Sequence, residues 1–290
     1  MAYPDARTLL RKYGLRAKKS WGQNFLVDER AFEGIVRASG AGPDDTVVEI
    51  GAGLGTLTAR LALASRHVIA VERDRDMAAI LRAELAGNER VEIAEANALT
   101  FDYAAVASRP DVGDRAPIVV GNLPYQIASP IVFRLLEARR RIARIVVMLQ
   151  LEMAERIVAA PSTPEYGAMS VMVQMAAQVR IAFRVPAGAF FPAPRVASAV
   201  LVMEPLGAPR ADITDDGWFS DVVHAAFGQR RKTLRNALGK LAEPAPLDRA
   251  LVSAGIDPQA RGETLNVERF ARLAEALLRE RGGRRLPRPE

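Results

Sequence analysis

The 290-residue sequence contains no cysteine. That absence removes disulfides, thiol nucleophiles and cysteine-ligated zinc together. Histidine is nearly missing too: His67 and His224 are the whole complement, so a histidine-based metal cluster is not expected and the metal assignment is none. No apolar run approaches the ~20 residues that a membrane span needs, because charges interrupt each one. The opening stretch MAYPDARTLLRKYG lacks the apolar core of a secretory signal, so the expected location is the cytoplasm. Low-complexity disorder is excluded by a hydrophobic fraction of 49%.

What is abundant is arginine, thirty-five residues against five lysines, within a formal net charge of +6. The excess is clustered. Residues 6–20 carry Arg7, Arg11, Lys12, Arg16, Lys18 and Lys19 with no acid, and residues 224–240 carry Arg230, Arg231, Lys232, Arg235 and Lys240, again with none. Arg139, Arg140, Arg141 and Arg144 form a third cluster, and the tail RERGGRRLPRPE is basic as well. One such cluster is as well explained by a solvated face. Several acid-free clusters flanking one catalytic-looking core favour a surface that follows nucleic-acid phosphates.

From residue 46 onward, short β-rich runs alternate with helical ones. Strands are expected at Thr46–Ile50, Val68–Glu72, Val91–Ala94, Pro117–Gly121 and Arg144–Leu149. Helices are expected at Thr56–Ala64, Arg75–Leu85 and Pro130–Ala138. This alternation predicts βαβ units, hence an α/β fold with a parallel, Rossmann-like sheet. Two helix-like runs, Glu152–Ala159 and Ala168–Ala177, precede two further strands, Val179–Phe183 and Ala199–Met203, where an antiparallel strand can end the sheet. Pro205–Pro209 is a linker by composition. The expected domains are therefore 1–206 and an all-helical 207–290, the latter with amphipathic helices over 218–241 and 265–279.

Two motifs carry the chemistry. Gly51-Ala52-Gly53-Leu54-Gly55 closes the first strand and opens a helix, where free N–H groups favour ligands. Its spacing is one residue short of the dinucleotide fingerprint, and Glu72 ends the next strand, placed to accept from ribose hydroxyls. A nicotinamide site and an S-adenosylmethionine site both fit this pattern. The second motif, Asn122-Leu123-Pro124-Tyr125, ends the fourth strand. Methylation of an exocyclic amine needs the nitrogen lone pair turned out of conjugation. The Asn122 oxygen and the Leu123 carbonyl can accept the two amine hydrogens, with Pro124 locking the turn and Tyr125 stacking on an extruded base.

These residues resemble the small-subunit ribosomal RNA adenine N6-dimethyltransferases, the KsgA family, over about residues 13–275. The resemblance runs through Gly22-Gln23-Asn24-Phe25-Leu26, the glycine turn, Asn-Leu-Pro-Tyr, Tyr166-Gly167 and Phe190-Phe191-Pro192-Ala193-Pro194-Arg195-Val196. Its most specific run is Phe227-Gly228-Gln229-Arg230-Arg231-Lys232-Thr233-Leu234-Arg235-Asn236, which separates this group from the large-subunit adenine methylases. The resemblance implies a class I S-adenosylmethionine-dependent methyltransferase sheet with a small all-helical carboxyl-terminal domain. It implies S-adenosylmethionine as methyl donor and two adjacent adenines near the 3′ end of small-subunit rRNA as acceptors, on a late assembly intermediate. By the same resemblance, Asn24 and Leu26 close over the cofactor, Gly51 and Gly53 line it, Glu72 holds its ribose, and Asn122 sits between cofactor and amine. Tyr125 and Phe190 sandwich the adenine, with Phe191 the substitute for Phe190. Lys18, Lys19, Arg230, Arg231, Lys232 and Arg235 contact rRNA. A monomer is expected.

One departure touches the cofactor. The family's Asp after the third strand is Asn97 here, which keeps a carbonyl acceptor but loses its charge, at an expected cost of at most ~1–2 kcal/mol. Gln126 and Ala128 replace residues beside the catalytic quartet, and Leu151 and Ala197 replace a Lys and an Asp; none removes a residue the chemistry needs. Two rivals follow: a methylase of another RNA adenine, and an assembly factor of this fold that no longer transfers methyl groups. Retention of both Asn122 and Tyr125 argues against the second. A nicotinamide oxidoreductase leaves Asn-Leu-Pro-Tyr and the basic clusters unexplained.

Overall fold

The chain begins with α1 (Ala6–Lys12), β1 (Phe25–Leu26) and α2 (Glu29–Ser39), all of which precede the alternating run. Alternation then sets in with β2 (Thr46–Ile50), α3 (Thr56–Ala64), β3 (His67–Glu72), α4 (Arg75–Glu84), β4 (Val91–Glu95), α5 (Tyr103–Val106), β5 (Ile118–Asn122), α6 (Ala128–Glu137) and β6 (Arg144–Gln150). Two helices, α7 (Leu151–Val158) and α8 (Ala168–Ala176), lead to β7 (Ala177–Val185), β8 (Phe190–Phe191) and β9 (Ser198–Pro205). The structure is a computed structural model and describes residues 3–18, 22–113, 115–229 and 231–282.

Seven strands form one sheet in the order β4-β3-β2-β5-β6-β9-β7, and β1 pairs separately with β8. The strands from β4 to β6 run parallel, and β9 lies antiparallel against β6, with Ile145 opposite Met203. The sequence accounts for this directly. Strands covered on both faces need continuous β-branched runs, and all five residues of β2, Thr-Val-Val-Glu-Ile, are buried. Asp28 and Asp74 cap α2 and α4 by accepting from backbone N–H groups, and Gly40 ends α2 in the left-handed conformation. The order reverses beside β2, with β3 on one side and β5 on the other, so the carboxyl ends of these strands open a crevice.

The chain divides into two units, Met1–Ala154 with Gln178–Gly207, and Glu155–Ala177 with Ala208–Glu290. A simple cut at 206/207 thus leaves out a segment. Tyr166, Val171 and Met175 belong to the helical unit because their side chains enter its core beside Trp218 and Phe270. That unit adds α9 (Asp216–Gly228), α10 (Leu234–Ala237), α11 (Pro244–Ser253) and α12 (Val267–Glu280). The single helix expected over 218–241 is broken: Gln229 leaves the helical conformation, Thr233 is extended, and α10 restarts after Thr233. The burial pattern survives the break, since Val223, Leu234 and Leu238 are all buried. Tyr166 and Phe227 meet edge-on at 5.8 Å, Phe227 and Phe270 lie 5.6 Å apart, and the Tyr166 hydroxyl donates to the Leu265 carbonyl at 2.8 Å. Among the described residues no helix is long and apolar enough to cross a membrane.

Candidate functional site

The carboxyl ends of β2, β3, β4 and β5, with the segment 22–26, enclose a cavity of about 390 Å³. Gly51, Gly53 and Gly55 all take positive φ, 70°, 56° and 81°, so the turn from β2 into α3 needs residues without Cβ atoms at these places. The bend turns the Gly53 N–H onto Glu72, donating to Oε2 at 2.8 Å, while the Asp74 N–H donates to Oε1 at 2.7 Å. With the Arg73 N–H also bearing on the carboxylate, three donors meet four lone pairs, which leaves acceptor capacity for a further donor. Burial pushes the Glu72 pKa up, and the backbone donors from Asp74 and Gly53 oppose it.

Glu49 lies in the cavity wall, 2% exposed, and its Oε2 has no hydrogen-bond partner. Burial drives its pKa from 4.5 up to about 8; the neighbouring Thr58 tempers the rise, although the Thr58 hydroxyl is itself without a well-directed partner. A cationic ligand bound beside Glu49 would lower that pKa and draw the carboxyl into its charged form. The sign of its effect on stability follows from linkage. Between pH 4.5 and 8 the unfolded chain has released this proton and the folded chain still holds it, so the contribution falls as pH rises. Glu49→Gln is expected to gain on the wild type by about 1.4 kcal/mol for each pH unit inside that window, a trend checked by urea unfolding at pH 5, 6.5 and 8.

Asn97 lines the same cavity, its Oδ1 accepting from the Leu99 N–H at 3.1 Å. Asp74 is nearly as buried as Glu49. Its desolvation works to raise the pKa, but Lys18, the Asp76 N–H and Gln23 outweigh it and hold the carboxyl below its ordinary value.

Asn122 ends β5, beside Gly121, where a Cβ would lie 2.7 Å from the Ile50 carbonyl oxygen. Asn122 Nδ2 donates to the Asn24 carbonyl at 3.1 Å, which leaves Oδ1 as its free acceptor for the cavity. Leu123 is buried and its N–H donates to the Met148 carbonyl at 3.1 Å; the Pro124 carbonyl accepts from Ile127 at 3.0 Å, closing the turn. The Tyr125 hydroxyl and Ser198 Oγ share a hydrogen bond of 2.8 Å, and Ser198 is fully buried. Burial raises the Tyr125 pKa and Ser198 opposes the shift.

Asn24, Leu26, Gly51, Gly53, Glu72, Asn97, Asn122, Leu123, Pro124 and Tyr125 are thus brought to one cavity. Phe190 is not among its lining: it is 2% exposed in the core with Leu26 and Phe32, opposite Leu26 in the β1–β8 pair. Phe191 is the outward residue, 37% exposed, with the Arg7 guanidinium 5.1 Å from its ring centroid. Of the residues expected at RNA, Lys18 has its ammonium on Asp74 and Asp76, and Arg235 forms two hydrogen bonds with Asp248. Arg231 and Lys232 are exposed and carry no ion pair among the described residues. Lys19 and Arg230 lie outside the described residues. Glu49, Gln23, Asp74 and Ser198 went unassigned in the sequence. Only Glu49 leaves a signal there, an acid inside a run of Val and Ile. Away from the cavity, His67 faces Glu92 and Asp111 at 4.0 and 3.8 Å, and the Arg109 guanidinium binds both carboxylates.

Comparison with known proteins places this geometry in context. The ribosomal RNA adenine dimethylase family matches residues 14–278. A ribosomal RNA small subunit methyltransferase A from Anaeromyxobacter dehalogenans (strain 2CP-C) is 50% identical, covering 95% of this chain and 98% of that protein. Its counterpart from Myxococcus xanthus is 46% identical over 93% of this chain and 94% of its own length. Among solved structures, the 23S rRNA methyltransferase ErmE is similar with a TM-score of 0.67 and 28% identity, covering 88% of this chain and 99% of that one.

Proposed function

Because the chain belongs to the ribosomal RNA adenine dimethylase family, we propose that its cavity carries out S-adenosylmethionine-dependent dimethylation of small-subunit rRNA at N6 of two adjacent adenines near the 3′ end. Enzymatic methyl transfer to rRNA adenine is the activity of the family. The choice of adenines and the late assembly intermediate as substrate are the finer part of the proposal, as are a monomeric, cytoplasmic enzyme and a site without metal.

The residues present suit the cofactor. Glu72 would accept from the ribose hydroxyls, the Gly51–Gly53 turn would admit the chain close by, and Asn97 would accept from the adenine amine. The unpartnered Glu49 carboxyl in the wall favours a ligand bearing positive charge. When bound, S-adenosylmethionine supplies an electrophilic methyl group on a sulfonium.

The chain's own contribution is orientation. The target adenine stacks on Tyr125, whose ring is fixed through its hydroxyl by Ser198. In the first transfer Asn122 Oδ1 and the Leu123 carbonyl accept the two N6 hydrogens, and in the second one of them accepts the hydrogen that remains, which turns the lone pair out of the ring plane. S-adenosylmethionine would supply the methyl group and leave as the neutral thioether, while the amine held by these residues would lose one proton to solvent. No strong base is needed, because the methylated ammonium is acidic. The single observation carrying this reading is the Asn122 Nδ2 bond to the Asn24 carbonyl, which leaves the accepting oxygen for the amine. Phe190, buried in the core, would need to be exposed by movement of β8 to complete the expected sandwich; Phe191 already offers an outward ring.

Incubating unmethylated small subunits with the protein and labelled cofactor, then digesting the rRNA to nucleosides, tests the reaction. The expected product is N6,N6-dimethyladenosine; label in any other nucleoside, or in none, contradicts the proposal. Arg231→Glu with Lys232→Glu should weaken subunit binding at least tenfold at low salt. The slope of log affinity against log salt should shrink by about one to two, as read by filter binding at several salt concentrations.

A further inference from the structure

Two residues beyond Glu72, the Asp74 carboxylate has more partners than capping α4 requires. Its Oδ1 accepts from the Asp76 N–H at 3.1 Å, the capping bond, and also from Lys18 Nζ at 2.9 Å. Its Oδ2 accepts from Gln23 Nε2 at 2.9 Å. The side chain is 3% exposed, so this is a desolvated charge tied to a segment more than fifty residues away in sequence. Gln23 is held at its other end as well, since its Oε1 accepts from the Lys18 N–H at 2.8 Å. Lys18 Nζ completes the cluster with Asp76 Oδ2 at 2.7 Å.

The residue after Gln23 is Asn24, whose carbonyl takes the Asn122 amide. The 22–26 wall is therefore fastened at two ends. Its far end is held by β1–β8 pairing, Phe25 opposite Phe191 and Leu26 opposite Phe190, and by the Val27 N–H donating to the Ala189 carbonyl at 2.8 Å. Its near end, which orients Asn122, is held to α4 through Lys18, Gln23 and Asp74. The same Asp74 gives its N–H to Glu72, so one residue touches the acid proposed for the ribose and the wall that aims the catalytic amide.

We infer that Lys18, Gln23 and Asp74 form a pin that fixes the orientation of Asn122, and that Lys18 serves methyl transfer from within this pin and not as a contact to RNA phosphate. The inference rests on the role given to Asn122 above. All three are positioning residues: they act through the Asn24 carbonyl. Without the pin, the wall keeps its strand pairing and the protein keeps its fold, but the Asn122 amide is free to rotate, and a misaimed acceptor costs rate more than binding.

Lys18→Met removes the ammonium, and Asp74→Asn keeps a competent helix cap while removing the charge that holds Lys18. Each is expected to lower kcat about tenfold, with the KM for subunits and the salt dependence of binding unchanged; the unfolding midpoint falls as well, because each leaves a desolvated group without its charged partner. The double variant should be no slower than either single one, because both break the same contact. Lys18→Met with normal kcat, weaker subunit binding and a salt slope smaller by about one would make Lys18 a phosphate contact and overturn the pin. Additive losses would overturn it too, as would the same tenfold fall in kcat in Leu247→Ala, a core variant destabilised away from the cavity. Asn122→Ala measured alongside separates the levels. If that variant is inactive and the pin variants are within twofold of wild type, the pin alone is lost. If Asn122→Ala turns over normally, the reading of the site fails and the pin with it.

Discussion

Asn122→Ala is expected to lose methyl transfer by about a thousandfold while binding small subunits and cofactor within a few-fold of wild type. Its amide sits at the end of β5, in a cavity wall, with Nδ2 engaged by the Asn24 carbonyl. Alanine removes the acceptor that meets the amine hydrogen as the nitrogen rehybridises, an interaction stronger in the transition state than in the ground state. Loss of such a group appears in kcat and leaves KM nearly untouched. Asn122→Asp is the informative companion. It keeps an acceptor of the same size but cannot donate to the Asn24 carbonyl, so it should recover only part of the rate. Single-turnover methylation of unmethylated subunits at saturating cofactor reads both.

Glu72→Ala should weaken cofactor binding by about a hundredfold or more and leave subunit binding intact. Two effects add. The carboxylate is the proposed partner of the ribose hydroxyls, and hydrogen bonds to a charged group contribute roughly 1.5–3 kcal/mol. Its removal also strips the Gly53 and Asp74 N–H groups of their partner, so the glycine turn loses its tie to β3. Burial raises the Glu72 pKa, so protonation begins above the ordinary carboxylate range as pH falls. A neutral carboxyl is a poorer acceptor, and cofactor affinity in the wild type should drop on acidification more steeply than in Glu72→Gln, where Glu49 is the cavity acid left to titrate. Isothermal titration with cofactor across pH 5 to 8 checks the sign.

The two motifs were legible because each joins a strand end to a turn. Three alternating glycines after a β-branched run can only be a bend, and Asn-Leu-Pro-Tyr after a second such run falls on the neighbouring strand in the same crevice. The strands of the parallel sheet are legible for a related reason: burial leaves Val and Ile runs in which polar residues are few, Glu49 in β2 and Glu92 in β4 being the interior acids. What escaped were features set by distant residues. The two residues of β1 form a strand only because β8 lies across from them, and no local pattern marks a pair that short. Helix α2 has an amphipathic pattern with Asp28 as cap and Gly40 as stop, but it stands outside the βα alternation that marks the sheet.

The helical unit shows the same limit. Apolar spacing through 218–241 tracks the buried face but cannot register the non-helical Gln229 and extended Thr233 that break the helix. Assigning 155–177 to that unit depends on Tyr166 and Met175 packing beside Trp218, a contact across some fifty residues. In the site, the motif match gave Phe190 a stacking role, whereas the alternation of the β1–β8 pair buries Phe190 and turns Phe191 outward. Lys18 looked like part of a basic run because charge counting ignores partners; Asp74 and Asp76 lie fifty-six and fifty-eight residues further on.

Primer extension across small-subunit rRNA, on unmethylated subunits incubated with the protein and S-adenosylmethionine, tests the central claim most directly. Dimethylation at N6 removes both donors from the adenine's Watson–Crick edge, so reverse transcriptase halts there. The account predicts two adjacent, cofactor-dependent stops near the 3′ end, present with the wild type and absent with Asn122→Ala. Subunit binding without stops would contradict it and leave an RNA-binding assembly factor of this fold as the better description.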